Sequence, residues 1–201
     1  EYHDKKHLLK LTSLGKEVKY QDEALQEKAT IYLCHSNMVL SSGASLWNFV
    51  FSNIFPRYGN KLKMTTFMDA LKVQYKGTDV NMSPFYTSYS GMFRKLAVLK
   101  TTPEEVKCTF LPFKDAYINI YAYILLKEWE SLHDGILELT ADDFYAMNVD
   151  AKLCLSRSDF DKVLSTLESH GIIKFERLLT PFIVLKLHSS DVIIKHIYST
   201  L

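Results

Sequence analysis

No Gly-x-x-x-x-Gly-Lys-[Ser/Thr] loop and no Gly-x-Ser-x-Gly turn occurs anywhere in the 201 residues. ATP use through a P-loop is therefore excluded, and so is an elbow-borne serine nucleophile. Seven glycines leave little room for any other phosphate cradle. Cysteine is also scarce: Cys34, Cys108 and Cys154 are an odd number and form no Cys-x-x-Cys pair. That argues against a disulfide framework and for a reducing compartment, the cytoplasm. Long apolar runs are missing as well. The longest, residues 118–126, contains Asn119 and falls far short of the ~20 residues a membrane span needs. The opening Glu1-Tyr2-His3-Asp4-Lys5-Lys6 has no secretory-signal pattern. It also lacks an initiator Met, so we expect the natural chain to extend upstream.

What is present is a globular composition, with 47% hydrophobic and 23% charged residues, which excludes disorder and coiled coil. The net charge of +1 conceals a gradient. Residues 1–56 hold six Lys against six acids. Residues 57–107 hold nine basic groups (Arg57, Lys61, Lys63, Lys72, Lys76, Arg94, Lys95, Lys100, Lys107) against Asp69, Asp79, Glu104 and Glu105, a balance of +5. Residues 108–201 hold nine basic and thirteen acidic groups, a balance of −4. A basic middle segment attracts polyanions, and an acidic end does not.

Hydrophobic periodicity predicts a mainly α chain with short β-hairpins, organised as tandem winged helix-turn-helix units. An N-terminal helical segment, 1–40, precedes a basic unit, 41–112, and an acidic unit, 113–201. In the N-terminal segment Gly15 reads as a turn, and Leu25, Ala29, Tyr32 and Leu33 mark a helix within 22–40. Ser45 is expected to cap a helix that ends by Gly59, and Thr65 or Thr66 to cap the next, which runs to Gly77. After a turn over 78–82, Ser83-Pro84 is a strong helix start. Phe85, Tyr89, Met92, Phe93 and Leu96 then face inward along one helix, 84–97, closed by Val98-Leu99. A strand alternates Val106, Cys108 and Phe110 against Lys107 and Thr109.

The order then recurs. A long helix spans 115–133 and a strand 136–139. One helix is capped near Thr140 and another at Ser156 or Ser158, with core stripe Phe160, Val163, Leu164 and Leu167. Gly171 takes the C-cap position, and strands at 172–176 and 182–187 flank a turn over 179–181. A short helix or tail closes the chain.

The helix 84–97 is the candidate recognition helix. Its outward residues Tyr86, Thr87, Ser90, Arg94 and Lys95 suit phosphate or guanine contact. Arg57, Lys61, Lys63, Lys72, Lys76 and Lys100 are the candidate phosphate clamps. The matching helix 159–169 carries Asp159, Asp161 and Glu168, so the second unit reads as a protein-interaction or dimerisation module. Tyr117, Tyr121, Tyr123 and Trp129 lie on three sides of the long helix. They either meet a neighbouring subunit or bridge the two units. His35 follows Cys34 but has no further ligand at metal spacing. It reads as a buried histidine bonded to backbone, holding the Trp47 helix in place. Asp22 and Thr30 read as capping or hydrogen-bonding residues. Triplets of acid-x-Lys form occur at Glu17, Glu105 and Asp150, as chance provides among forty-seven charged residues. No catalytic residue, metal or cofactor is expected.

Residues 11–53 resemble a bacterial family known as a domain of unknown function, number four thousand and seven. The likeness rests on Leu11-Thr12-x-Leu14-Gly15-Lys16, on Asp22-x-x-Leu25-x-Glu27-x-x-Thr30-x-Tyr32-Leu33-x-His35 and on Trp47-x-Phe49-x-Phe51-x-Asn53. The chain departs at Glu23, Ala24 and Ala29, where the family has proline, an aromatic and glycine. The resemblance implies stacked winged helices and a place beside DNA phosphorothioation and phage-defence genes. The expected activity is therefore that of a non-enzymatic accessory protein binding double-stranded DNA, with other proteins of such a system or a second copy as partners. A winged-helix scaffold for an enzyme or ATPase of the same system, or a transcriptional regulator, are the alternatives.

Overall fold

The computed structural model describes residues 10–78, 80–178 and 180–201. Residues 1–9 of the N-terminal segment, and Asp79 and Leu179 within two expected turns, lie outside the described residues. The described residues are mainly helical, with two small antiparallel sheets of three strands each among them.

Helix α1 (Ser13–Asp22) starts at Thr12, whose hydroxyl accepts the Gly15 amide at 3.0 Å. Gly15 is thus in the first turn of a helix and not in a loop. The helix expected within 22–40 is present but begins only after Leu25. Asp22 closes α1, Leu25 takes a left-handed backbone (φ 52°), and α2 runs Lys28–Val39. The Asp22 carboxylate accepts the Gln26 and Glu27 amides at 2.9 and 3.0 Å and fixes that corner.

The first sheet-bearing unit opens with α3 (Ser45–Phe49), which passes through a π-helical turn over Val50–Ile54 into α4 (Phe55–Tyr58). Ala44, not Ser45, occupies the N-cap. Gly59, at φ 89°, ends α4. Strand β1 (Lys61–Lys63) leads directly into α5 (Met64–Gln74), with Lys63 at the N-cap in place of either threonine. Helix α6 (Ser83–Ser90) comes next, with Met82 at its N-cap.

The predicted helix 84–97 is broken. Gly91 leaves helical geometry (φ −100°, ψ −110°), and residues 92–96 form a 3-10 turn that ends at a left-handed Ala97. The break rotates the second half, so Met92 points outward at 39% exposure while Phe85, Tyr89, Phe93 and Leu96 stay buried. Leu99 is not a helix end. It begins β2 (Leu99–Thr101), which pairs with β3 (Glu105–Cys108). The sheet order is β1-β3-β2.

The second unit repeats this order. A 3-10 turn over 115–117 leads into α7 (Ile118–Leu132), β4 (Glu138–Thr140), α8 (Ala141–Ala146), a short α9 (Val149–Lys152) and α10 (Arg157–Ser169). Strands β5 (Ile173–Glu176) and β6 (Ile183–Lys186) complete a sheet of order β4-β6-β5. A closing helix α11 (Ser190–Ile193) runs into a 3-10 turn over 194–196. Here the local signals are met. Thr140 and Ser156 accept the Asp143 and Asp159 amides at 3.2 and 3.1 Å. Gly171 adopts φ 66°, and Phe160, Val163, Leu164 and Leu167 are buried.

Helix α7 is the axis of the molecule. Tyr121, Tyr123 and Trp129 are all buried and Tyr117 is half-buried, although they leave the helix on different sides. A helix apolar all round needs neighbours all round, and α7 has α2 on one side and α9, α10 and α11 on others. The buried residues form one continuous cluster from Leu14 to Ile197. Among the described residues no helix is long and apolar enough to cross a membrane.

Candidate nucleic-acid interface

The basic residues singled out in the sequence separate into four places. Three of them, Lys61, Lys63 and Lys100, lie on the outer face of the first sheet. Strand alternation sets this arrangement: Leu62, Val106, Leu99 and Cys108 point into the core, so their neighbours point out. The register then lines up Lys61, Lys107 and Lys100 as direct cross-strand partners on β1, β3 and β2. All three are exposed. Glu105, the partner of Lys63, reaches diagonally to Lys61 with 2.8 Å between Nζ and Oε2. One carboxylate thus serves a face of four lysines.

Lys107 is the member that sequence reasoning left out of the clamp set. Its outward position was legible from the alternation of Val106 and Cys108. What no local pattern shows is that Lys61, forty-six residues earlier, becomes its neighbour.

Arg57 lies beside Tyr58, its guanidinium carbon 5.3 Å from the ring centre, in a cavity of about 500 Å³ between α4 and α5. Lys72 and Lys76 are exposed at the far end of α5. Arg94 and Lys95 are exposed on the 3-10 turn, where Lys95 Nζ donates to the Gln26 carbonyl at 3.4 Å. On α6, Thr87 and Ser90 are exposed, but the Ser90 hydroxyl already donates to the Thr87 carbonyl at 3.2 Å. Tyr86 does not face outward. It is half-buried, with its hydroxyl 3.7 Å from the Met64 sulfur. The hydroxyl-rich helix face expected to read DNA is therefore reduced to Thr87 and Ser90.

The second sheet supplies an internal control. The row equivalent to Lys61-Lys107-Lys100 is Glu138-Leu185-Lys174, and Lys174 is paired with Glu176. The same topology thus carries three like charges in one unit and a mixed row in the other. Arg157 and Arg177 are also engaged: Arg157 lies 3.9 Å over Tyr145, and Arg177 is held in a fork by Glu168 at 2.9 and 2.7 Å. That fork, aided by the Phe175 amide, outweighs burial and holds the Glu168 carboxyl below its usual range.

His35 is buried, but its partner is not backbone. Its Nε2 meets the Tyr89 hydroxyl at 2.9 Å and its ring packs edge-on against Phe51 and Phe93. Burial pushes its pKa down to about 3, so it is a neutral packing residue. Thr30 bonds the Tyr198 hydroxyl at 3.0 Å, tying α2 to the end of the chain. Asp22 is raised by burial but lowered further by the Gln26 and Glu27 amides, leaving it below the usual carboxyl range. Among the described residues no three His, Cys, Asp or Glu side chains converge as metal ligands would.

No family model, curated protein or solved structure matches the chain.

Proposed function

We propose that the chain is a tandem winged-helix protein whose first unit holds duplex DNA through phosphate contacts, within a bacterial DNA-modification or phage-defence system. The observation that carries the DNA reading is the row Lys61-Lys107-Lys100. Like charges directly opposite one another destabilise a sheet, and the second sheet avoids them at the same positions. A polyanion bound across the face turns that cost into binding energy. The twofold order helix, strand, helix, helix, strand, strand, with the first strand beside the third, supports the winged-helix reading. The defence context rests on the resemblance of residues 11–53 alone.

The second unit suits a protein contact better than DNA. Its hairpin carries Leu178 at 96% exposure beside Arg177. Tyr145, Phe175 and Phe182 line a cavity of about 600 Å³ between the hairpin and α10, with Asp161 and Arg177 also in its wall, each already paired, to Arg157 and Glu168. An aromatic cleft whose charges are already paired accommodates a partner's side chains and offers phosphate no free cation.

Fluorescence anisotropy of a labelled duplex across a salt series tests the DNA reading. Wild type loses affinity steeply with salt. A Lys61→Glu, Lys100→Glu, Lys107→Glu variant lowers the slope of log K against log salt by about three. An Arg94→Glu, Lys95→Glu variant, run beside it, measures the share of the 3-10 turn. Absence of binding at low salt removes the proposal and leaves the protein scaffold.

A further inference from the structure

Cys108 ends β3 in the first unit, and Cys154 follows α9 in the second. Their segments run side by side where the units meet. The Leu111 amide donates to the Cys154 carbonyl at 2.7 Å, and Leu111 and Leu155 form a parallel bridge. Strand alternation turns Cys108 inward with Val106, while Lys107 between them faces out. Both thiols are free and buried. They are neighbours in the core: Cys108, as a hydrogen-bond partner, and then burial push the Cys154 thiol well up. Cys154 therefore keeps its proton at neutral pH and presents it to the Cys108 sulfur.

A cavity of about 310 Å³ reaches the pair from outside. Cys108, Phe55 and Leu155 line it together with the exposed Pro56, Phe110 and Arg157. A water molecule takes about 30 Å³ in the liquid, so a body the size of hydrogen peroxide has ample room. Cys108 stands in the cavity wall, and Cys154, the neighbour of Leu155, does not line it. The two sulfurs therefore have different parts. Cys108 meets whatever enters, and Cys154 waits behind it with a proton to give. The third thiol, Cys34, is half-buried on α2, where burial and the Asp22 carboxylate push it up. Both effects work against the thiolate, which is the reactive form.

We infer that Cys108 and Cys154 are a peroxide-oxidised pair that forms a reversible disulfide between the two units. Cys108 loses its proton, and its sulfur attacks one oxygen of hydrogen peroxide. The O–O bond breaks, and the departing hydroxide takes up that proton as water. Cys108 is then a sulfenic acid. The Cys154 sulfur attacks the Cys108 sulfur, the S–S bond forms and the S–O bond breaks. The hydroxyl leaves with the Cys154 proton as a second water. Two thiols and one peroxide thus give one disulfide and two waters, with two electrons passing from sulfur to oxygen. An external thiol reverses the bond by exchange. Disulfides of this transient, redox-sensing kind are the ones a reducing compartment permits. The bond fastens β3, the middle strand of the lysine row, to the loop after α9. Its chemistry is independent of DNA binding.

The test treats the folded, fully reduced chain with hydrogen peroxide, blocks the remaining thiols with iodoacetamide and maps the peptides by mass spectrometry without reduction. The chain should lose the mass of two hydrogens. The Cys108 and Cys154 peptides should appear joined, and dithiothreitol should part them. Cys34→Ser should leave the joined peptide in place. Cys154→Ser should stop the reaction at the Cys108 sulfenic acid, which dimedone traps, and Cys108→Ser should give neither product. Dimedone on Cys154 in the Cys108→Ser variant would overturn the assigned parts. Should either buried serine prevent folding, the wild-type map decides alone. Cys34 oxidised while Cys108 and Cys154 both carry the iodoacetamide label would overturn the inference, and so would a disulfide that joins two chains or includes Cys34.

Discussion

His35, on α2, is wholly buried against the first unit, and among the described residues the Tyr89 hydroxyl is its hydrogen-bond partner while its Nδ1 has none. Its folded pKa, about 3, lies well below its ordinary 6.5. The unfolded chain therefore binds the extra proton in the window between those values, and stability falls as pH drops through it. The stabilisation is complete above pH 6.5. Between pH 7 and pH 5 the protein should lose about 2 kcal/mol of unfolding free energy. Asp22, Asp159 and Glu168, all held below their usual range, act at lower pH and leave this window clear. Urea unfolding at pH 7 and pH 5 measures the loss, and His35→Phe should flatten it. An unchanged slope in that variant would place the titration elsewhere.

A second buried charge joins distant parts of the chain. Glu128 on α7 pairs with Lys152 on α9 at 3.0 Å and accepts the Ser41 amide at 3.0 Å, with the Ser41 hydroxyl also bonded. Lys152 donates further to the Met147 carbonyl. Both side chains are almost wholly buried. Glu128→Ala strands the ammonium and should cost about 3–5 kcal/mol. The double change Glu128→Leu, Lys152→Met should recover most of that loss in a double-mutant cycle by chemical denaturation. Neither residue stood out in the sequence, because an acid at 128 and a lysine at 152 look like solvated surface until α7 is known to be buried on every side.

At the scale of elements, what could be foreseen was what neighbouring residues decide. Thr140, Ser156 and Gly171 act through bonds within one turn, and the 160–167 stripe through helical period; all four took the expected roles. Failures came where tertiary packing overrode local preference. Gly91 breaks α6 so that Phe93 can follow Tyr89 into the His35 cluster, whereas the i, i+4, i+7 pattern alone demanded a continuous helix. The lysine row was half visible: alternation placed Lys107 outward, but only the pairing of β1 with β3 made it a row. One turn can be tested directly. A side chain at Gly43 would sit 2.3 Å from the Met38 carbonyl and 2.7 Å from that of Asn37. This backbone overlap cannot be relieved by a rotamer change, and the loop it disrupts delivers Ser41 to Glu128. Gly43→Ala should cost about 2–4 kcal/mol by denaturant unfolding. Gly77→Ala, where a Cβ meets nothing within 4 Å, bears only the cost of its left-handed backbone (φ 78°) and should lose about 1 kcal/mol.

At the scale of the molecule, two repeated folding patterns suggest two units that melt separately, and the packing argues otherwise. Helix α7 opens the second unit, yet Tyr32 of α2 donates to Leu153 and packs against Tyr117 and Tyr121. Leu111, after the first sheet, pairs with Leu155, and Thr30 reaches Tyr198. Separation near residue 112 would expose the α2 side of α7 and split the Glu128–Lys152–Ser41 cluster. Each half would then uncover large apolar surface at about 25 cal/mol per Å², and Glu128 would keep Lys152 but lose the Ser41 amide and hydroxyl. The chain should therefore unfold in one cooperative step, with calorimetric and van't Hoff enthalpies equal. Scanning calorimetry at pH 7, with near-UV tyrosine and tryptophan signals followed in parallel in a Trp47→Phe variant that leaves Trp129 as the single tryptophan, tests this. Two transitions, or a tyrosine signal lost well before that of Trp129, would show that the units are independent. Coincident curves would mean that whatever binds the basic sheet also stabilises the acidic unit, because ligand bound to a single cooperative fold raises the stability of all of it.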